Sequence, residues 1–165
     1  MKKIDRTGLL LCDLQSKAFE LSLEALPCSS EIFIRRFMNS KVAKELDSEY
    51  TPGMIITQDD ILGRINEQYG TTEYGSVKYT ANEIHWIGYI YRYLAYTRGL
   101  TSSQIYKKIK PKKLRELYPA CHTMDCSAAI DRIIESQNIS FDSDIEKQYL
   151  IFRRIRKIAD TAKSS

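Results

Sequence analysis

Apolar residues recur along this chain at intervals of three and four and almost nowhere in strict alternation, so the pattern predicts helices throughout. The densest run is TANEIHWIGYIYRYLAYTRG, from Thr80 to Gly99. Thr80 and Glu83 form a capping box at its start, and Gly99 stands where a helix ends. Between them Ile84, Trp86, Ile87, Tyr89, Ile90, Tyr91, Tyr93, Leu94 and Tyr96 leave little polar face. A helix apolar nearly all round is enclosed by other elements. This one, at about residues 80–98, is therefore expected at the centre, with Trp86, Ile87, Ile90, Tyr91 and Leu94 buried. Arg92 and the tyrosine hydroxyls then need partners, and His85 is expected as a hydrogen-bonded core histidine.

The flanking segments follow the same period. Leu11, Leu14, Ala18, Leu21 and Ala25 line one face of a first helix, which Pro27 ends. Ser29 or Ser30 caps SEIFIRRFMNSKVAKELD, whose Ile34, Phe37, Met38, Val42 and Leu46 turn inward, and Asn39-Ser40 is a natural place for it to split. Residues 48–56 read as a loop with a Pro52-Gly53 turn, and Met54–Ile56 as no more than a brief pairing. Thr57 with Asp60 opens a helix to Tyr69, which Gly70 stops, and residues 71–79 form a polar connector. Thr101 with Gln104 opens a short helix to Ile109. Lys110-Pro111 interrupts it, and KKLRELY resumes until a loop at Pro119–Met124. Asp125 caps CSAAIDRIIES, with Ala129, Ile130, Ile133 and Ile134 as its apolar side. After a short link at 136–141, a long amphipathic helix is expected over about 143–162. Ile145, Phe152, Ile155, Ala159 and Ala162 lie on one face of it, and Lys147, Arg153, Arg154 and Lys157 on the other. The expected fold is all-α: a compact multi-helix bundle around the tyrosine-rich helix, as a single domain over residues 1–165 with no internal repeat.

Composition narrows the class. With 43% hydrophobic and 28% charged residues, and only seven Gly and four Pro, the chain is neither disordered nor a turn-dense β-sandwich. The net charge of +4 is unevenly spread. Residues 1–75 are net −3 and residues 76–165 net +7, which equips the second half to meet a polyanion and the first a basic partner; the plainer reading is two solvated faces. Leu9–Leu11 is too short for the apolar part of a leader peptide, and no run approaches a membrane span. Cys12, Cys28, Cys121 and Cys126 form no CxxC pair, so four reduced thiols in a cytoplasmic protein with no membrane partner are expected.

Candidate chemistry is sparse. Lys107, Lys108, Lys110, Lys112, Lys113 and Arg115 place six cations in nine residues across a helix–break–helix, the arrangement a DNA reader uses to hold phosphates. Tyr106 and Tyr118 flank the cluster and are able to stack on bases. The plainer reading is a solvated face whose Ile105, Ile109, Leu114 and Leu117 dock on the core. Cys121, His122 and Cys126 are one ligand short of a structural zinc site and irregularly spaced. A cysteine nucleophile with His85 as base has no local motif behind it, and no glycine-rich phosphate loop is present. No catalytic residue, metal or cofactor is therefore assigned. Phe33, Arg35 and Arg36 form the aromatic-plus-arginine grouping that protein interfaces favour.

Three stretches together, EIFIRRFMNSKVAKELD (31–47), EIHWIGYIYRYLAYT (83–97) and KKLRELYPACHTMD (112–125), resemble a group of small helical proteins from gut Firmicutes and related bacteria. The resemblance covers about residues 29–135. Those proteins are mostly uncharacterised and are often encoded beside toxin-like genes, including ADP-ribosyltransferase-type ones. The resemblance, with the split charge and the lack of an active-site motif, implies a non-enzymatic antitoxin or accessory protein that acts by direct contact with a protein partner; the helix–break–helix at 101–118 gives a DNA-binding regulator as the alternative, and an enzyme is the least favoured. The group's loop usually reads Tyr-His-Thr-Leu-Asp-Pro. Here Ala120–Cys126 reads ACHTMDC, and that departure argues further against Cys121 and Cys126 as ligands.

Overall fold

The computed structural model describes residues 2–48 and 56–141, and beyond them Gln148, Ile151, Phe152, Arg154, Ile155, Arg156, Ile158, Ala159 and Ala162. Eight helices are bounded among these residues: α1 (Arg6–Ala25), α2 (Ser30–Met38), α3 (Lys41–Asp47), α4 (Gln58–Tyr69), α5 (Ala81–Arg98), α6 (Ser102–Lys108), α7 (Pro111–Cys121) and α8 (Cys126–Ser136). The described residues from Gln148 on are helical too, and no described residue lies in a strand. The all-α class is thus the observed one. The turn at Pro52-Gly53, the pairing at Met54–Ile56 and the start of the last helix lie wholly or largely outside the described residues. The chain divides into two compact units, Met1–Ile130 and Asp131–Ser165.

In the first unit α5 is the hub. It packs most extensively on α1 and also touches α6 and α7, while α1 reaches on to α2 and α4. The α5 boundaries follow from local chemistry. Thr80 accepts from the Glu83 N–H, Glu83 caps in return, and Gly99 closes the helix in the left-handed region at φ 63°. Ile87, Ile90, Tyr91 and Leu94 are buried as expected, whereas Trp86 is half-buried. The Trp86 indole meets the Tyr118 ring edge-on at 5.6 Å, so it seals the α5–α7 seam rather than filling the centre.

The α1–α5 contact turns on Gly88. A Cβ there would stand 2.9 Å from Phe19 Cγ and 3.1 Å from Ser16 Cα, so only glycine lets the two helices come this close. Phe19 fills the approach and meets Phe33 and Phe37 edge-on at 5.2 and 5.0 Å. This contact corrects the expected face of α1. The buried stripe is Gly8, Leu11, Cys12, Gln15, Ser16, Ala18, Phe19 and Ser22. Leu14 and Leu21 are only half-buried, and Ala25 is exposed. Small and polar residues take the inner face because α5 is too near for a row of leucines. Their polar atoms are satisfied locally: the Ser16 hydroxyl donates to Cys12 O at 2.6 Å, and that of Ser22 to Phe19 O at 2.5 Å.

The split at Asn39-Ser40 is real. Ser40 accepts from the Ala43 N–H and donates to Phe37 O, so it caps α3 while holding the end of α2. The connector at 71–79 is tied down: Ser29 N–H donates to Tyr74 O, Ser30 N–H to Val77 O, and Lys78 to the carbonyls of Leu23 and Leu26. One boundary differs from expectation. Pro119 does not start a loop, because α7 runs on to Cys121. Proline here removes a single hydrogen bond near the helix end, and His122 N–H still donates to Tyr118 O to close the last turn.

Candidate binding surface

The cationic residues of α6 and α7 share an edge but not a fate. Pro111 opens α7 at its first position, immediately after Lys110, so the two helices are separated by Ile109 and Lys110 alone. Ile105, Ile109 and Leu114 are buried, Leu117 is half-buried, and the Tyr91 hydroxyl donates to Ile109 O at 2.7 Å, which anchors the break to α5. With that side docked, Lys107, Lys110, Lys112 and Lys113 are exposed, and Lys108 and Arg115 half-buried. Lys107 and Lys112 have no ion pair or hydrogen bond among the described residues. Lys113 pairs with Glu116 at 3.2 Å on the exposed surface, a type of contact worth about 0–1 kcal/mol. Lys110 sits 4.0 Å above the Tyr106 ring.

Arg115 is committed inward. It donates to Glu83 at 2.9 Å and lies 4.4 Å from the centre of the Tyr79 ring. Burial pushes the Glu83 carboxyl up, but the Thr80 N–H and Arg115 together hold it below its ordinary value. Arg115 is therefore a strut between α7 and the start of α5.

The second candidate group comes apart. Phe33 is 1% exposed between Phe19 and Phe37, so it is core and leaves the expected partner surface. Its period of four with Phe37 marks it as core; the neighbouring arginines drew it outward in the sequence reading. Arg36 donates to Gly70 O at 2.7 Å and lies over the Tyr69 ring, clasping the end of α4. Arg35 alone is exposed, and the fold brings it to the other cluster. α2 packs on α6, and the Ser103 hydroxyl donates to Asn39 Oδ1 at 3.1 Å. Burial raises the Tyr106 phenol while the nearby Arg35 guanidinium opposes the shift. Arg35, Tyr106 and Lys110 thus make one surface from two segments about seventy residues apart, a juxtaposition for which the sequence carries no signal.

The remaining candidates are placed as follows. His85 is a surface residue rather than a core one: its side chain is 42% exposed and pairs with Glu20 at 2.9 Å. Cys121 is fully buried, and His122 is exposed and stacked on Tyr118 at 4.4 Å between centroids. All four cysteines are free, and burial pushes the Cys12 thiol up to about 12, far from a thiolate at neutral pH. No group of three or more His, Cys, Asp or Glu able to hold a metal occurs among the described residues. No helix among them is long and apolar enough to cross a membrane.

The largest polar constellation is internal. Arg92 is 1% exposed, and all three of its nitrogens are used. Nε donates to Gln15 Oε1 at 2.7 Å, one terminal nitrogen to Asp47 Oδ1 at 2.7 Å, and the other to the Ser102 hydroxyl at 3.1 Å. Ser102 in turn donates its hydroxyl and its N–H to Asp47, and the Gln15 amide donates to Gly88 O. Four helices, α1, α3, α5 and α6, meet in this network. Every polar group in it has a partner, so it is a bolt rather than a reactive site. Comparison of the chain with protein-family models, with curated proteins and with solved structures finds no match to any of them.

Proposed function

We propose that this chain is a non-enzymatic, cytoplasmic binding protein that acts by direct contact with an acidic protein partner, in the manner of an antitoxin or accessory protein. The observation that carries the reading is the joined surface of Arg35, Tyr106 and Lys110, continued by Lys107 and Lys112. Arginine and tyrosine give an interface anchors of low entropic cost, and unpaired lysines around them steer a negatively charged partner. The resemblance of residues 29–135 to proteins encoded beside toxin-like genes supplies the class of partner. The test is co-expression with the product of the adjacent gene. The intact chain relieves growth arrest caused by that product, and the Arg35→Glu, Lys110→Glu double variant does not. A toxic neighbour that the intact chain leaves fully toxic overturns the reading.

A second reading, a DNA-binding regulator using residues 101–118, is favoured by one observation: Lys107 and Lys112 are exposed on successive short helices without an internal partner. Phosphate contacts make log K fall with log salt by about 0.9 per contact on duplex DNA. Retention on heparin with a steep salt slope and a mobility shift of the chain's own promoter DNA supports this reading, whereas a flat slope and no shift leave the protein-binding one.

A further inference from the structure

The described residues from Gln148 onward are all exposed. Four of them are large and apolar: Ile151 is 57% exposed, Phe152 70%, Ile155 57% and Ile158 64%. At about 100° per residue they fall, with Ala159 and Ala162, in a single arc of about 120° centred on Ile155. Arg154 and Arg156, both exposed, stand about 100° to either side of that centre, one on each edge of the arc. The sequence around them is cationic: residues 147–163 hold six Lys or Arg and a single acid, Asp160, and follow an acidic stretch of Asp142, Asp144 and Glu146.

The charges decide what covers this face. A second copy laid side by side in parallel would bring arginine edges against arginine edges, whereas helices that pair use opposite charges at those flanks. A lipid surface with anionic headgroups answers both parts at once. The apolar arc enters the boundary between headgroups and acyl chains, and long arginine side chains at its edges reach back to the phosphates. We propose that the C-terminal helical segment carrying Ile151, Phe152, Ile155 and Ile158 lies flat on an anionic lipid surface, held by its apolar arc and by Arg154 and Arg156. It lies on the bilayer and does not span it. This attachment uses residues separate from the α6–α7 surface.

The experiment uses the full chain and sedimentation with vesicles, of phosphatidylcholine alone or with about 30% phosphatidylserine. The chain pellets with the mixed vesicles, stays in solution with phosphatidylcholine alone, and is released as salt rises. Phe152→Glu with Ile155→Glu, and separately Arg154→Glu with Arg156→Glu, each lower the bound fraction at least about tenfold. Lys112→Glu with Lys113→Glu leaves it unchanged. The proposal is overturned if the intact chain does not pellet with anionic vesicles, if either C-terminal variant binds as well as the parent, or if the Lys112, Lys113 variant is the one that fails. It is equally overturned if the intact chain sediments as a dimer in solution and the Phe152, Ile155 variant as a monomer, since a second copy then covers the arc.

Discussion

Arg92 and Lys112 carry the same charge on neighbouring helices of one small fold, yet the molecule treats them in opposite ways. Arg92 is surrounded by Gln15, Asp47 and Ser102 and has no access to water. Lys112 stands in solvent with no partner among the described residues. A buried charge is tolerated only where its hydrogen bonds are complete, so the Arg92 site constrains four helices at once. An exposed charge constrains nothing in the fold and is left available to another molecule. The comparison separates cations that build this protein from cations that it presents, and the count of Lys and Arg in the sequence cannot make that separation.

The widest gap between the two classes appears on removing one partner. Asp47→Ala leaves the Arg92 guanidinium buried without its counter-charge and also strips the Ser102 N–H of its acceptor. A loss of about 3–5 kcal/mol is expected from the urea midpoint. Replacing both partners, Arg92→Met with Asp47→Leu, should cost well under the sum of the single changes, because no charge is then left stranded. A double variant as unstable as the sum would mean that the two side chains act independently, and the internal class would lose its basis.

An apolar control calibrates that number. Ile90 is 1% exposed on the same helix as Arg92. Ile90→Ala should cost about 2–5 kcal/mol as a core truncation. A change within about 0.5 kcal/mol would show α5 to be peripheral and would remove the reason for Arg92 to be buried at all.

How much of this was legible depends on the range of the interaction. Caps and breaks are local, and the capping boxes at Thr57, Thr80 and Thr101 and the stop at Gly99 stand where the sequence puts them. The inner face of α1 was not legible because it depends on a distant close approach, whereas Phe33 carries a local core signal, its period of four with Phe37, that Arg35 and Arg36 obscure. Gly88 draws α1 in, Phe19 fills the gap, and Phe33 closes over Phe19. Nothing within one turn of Gly8, Gln15 or Ser16 announces that these small or polar residues face inward. Arg92 was legible as a group in need of partners, but Gln15, Asp47 and Ser102 come from three other helices and only the fold reveals them. The joining of Arg35 to Lys110 through Tyr106 has the same cause. Pro119 was misread in the other direction, since one lost hydrogen bond near a helix end is a small penalty.

Between the two classes lies Arg115, half-buried and paired with Glu83. Glu83 has its carboxyl lowered in the fold, so its contribution is present above the unfolded glutamate pKa and is lost as pH falls through the lower folded value. Glu83→Gln keeps the capping geometry and removes the charge. The stability deficit of that variant should be full at about pH 6 and should shrink as pH falls through the lowered folded value, read as the difference in urea midpoint from the parent. A deficit that does not shrink on acidification would assign the role of Glu83 to shape rather than charge, and Arg115 would then belong with the presented cations.

The smallest expected effect on stability tests the presented class directly. Lys112 and Lys113 are exposed, and among the described residues their one ion pair is the surface contact of Lys113 with Glu116. Reversing both to Glu should move the unfolding free energy by no more than about 0.5 kcal/mol, since surface substitutions away from special features rarely do more. The functional readout should move far more than the stability. If the edge meets an acidic protein, the double reversal weakens relief of toxicity while the fold is intact. If it meets DNA, the salt slope on heparin falls by about one to two contacts as well. A variant that loses more than about 1 kcal/mol with both readouts unchanged would show that these lysines serve the fold, because only a charge engaged with its own chain is costly to reverse.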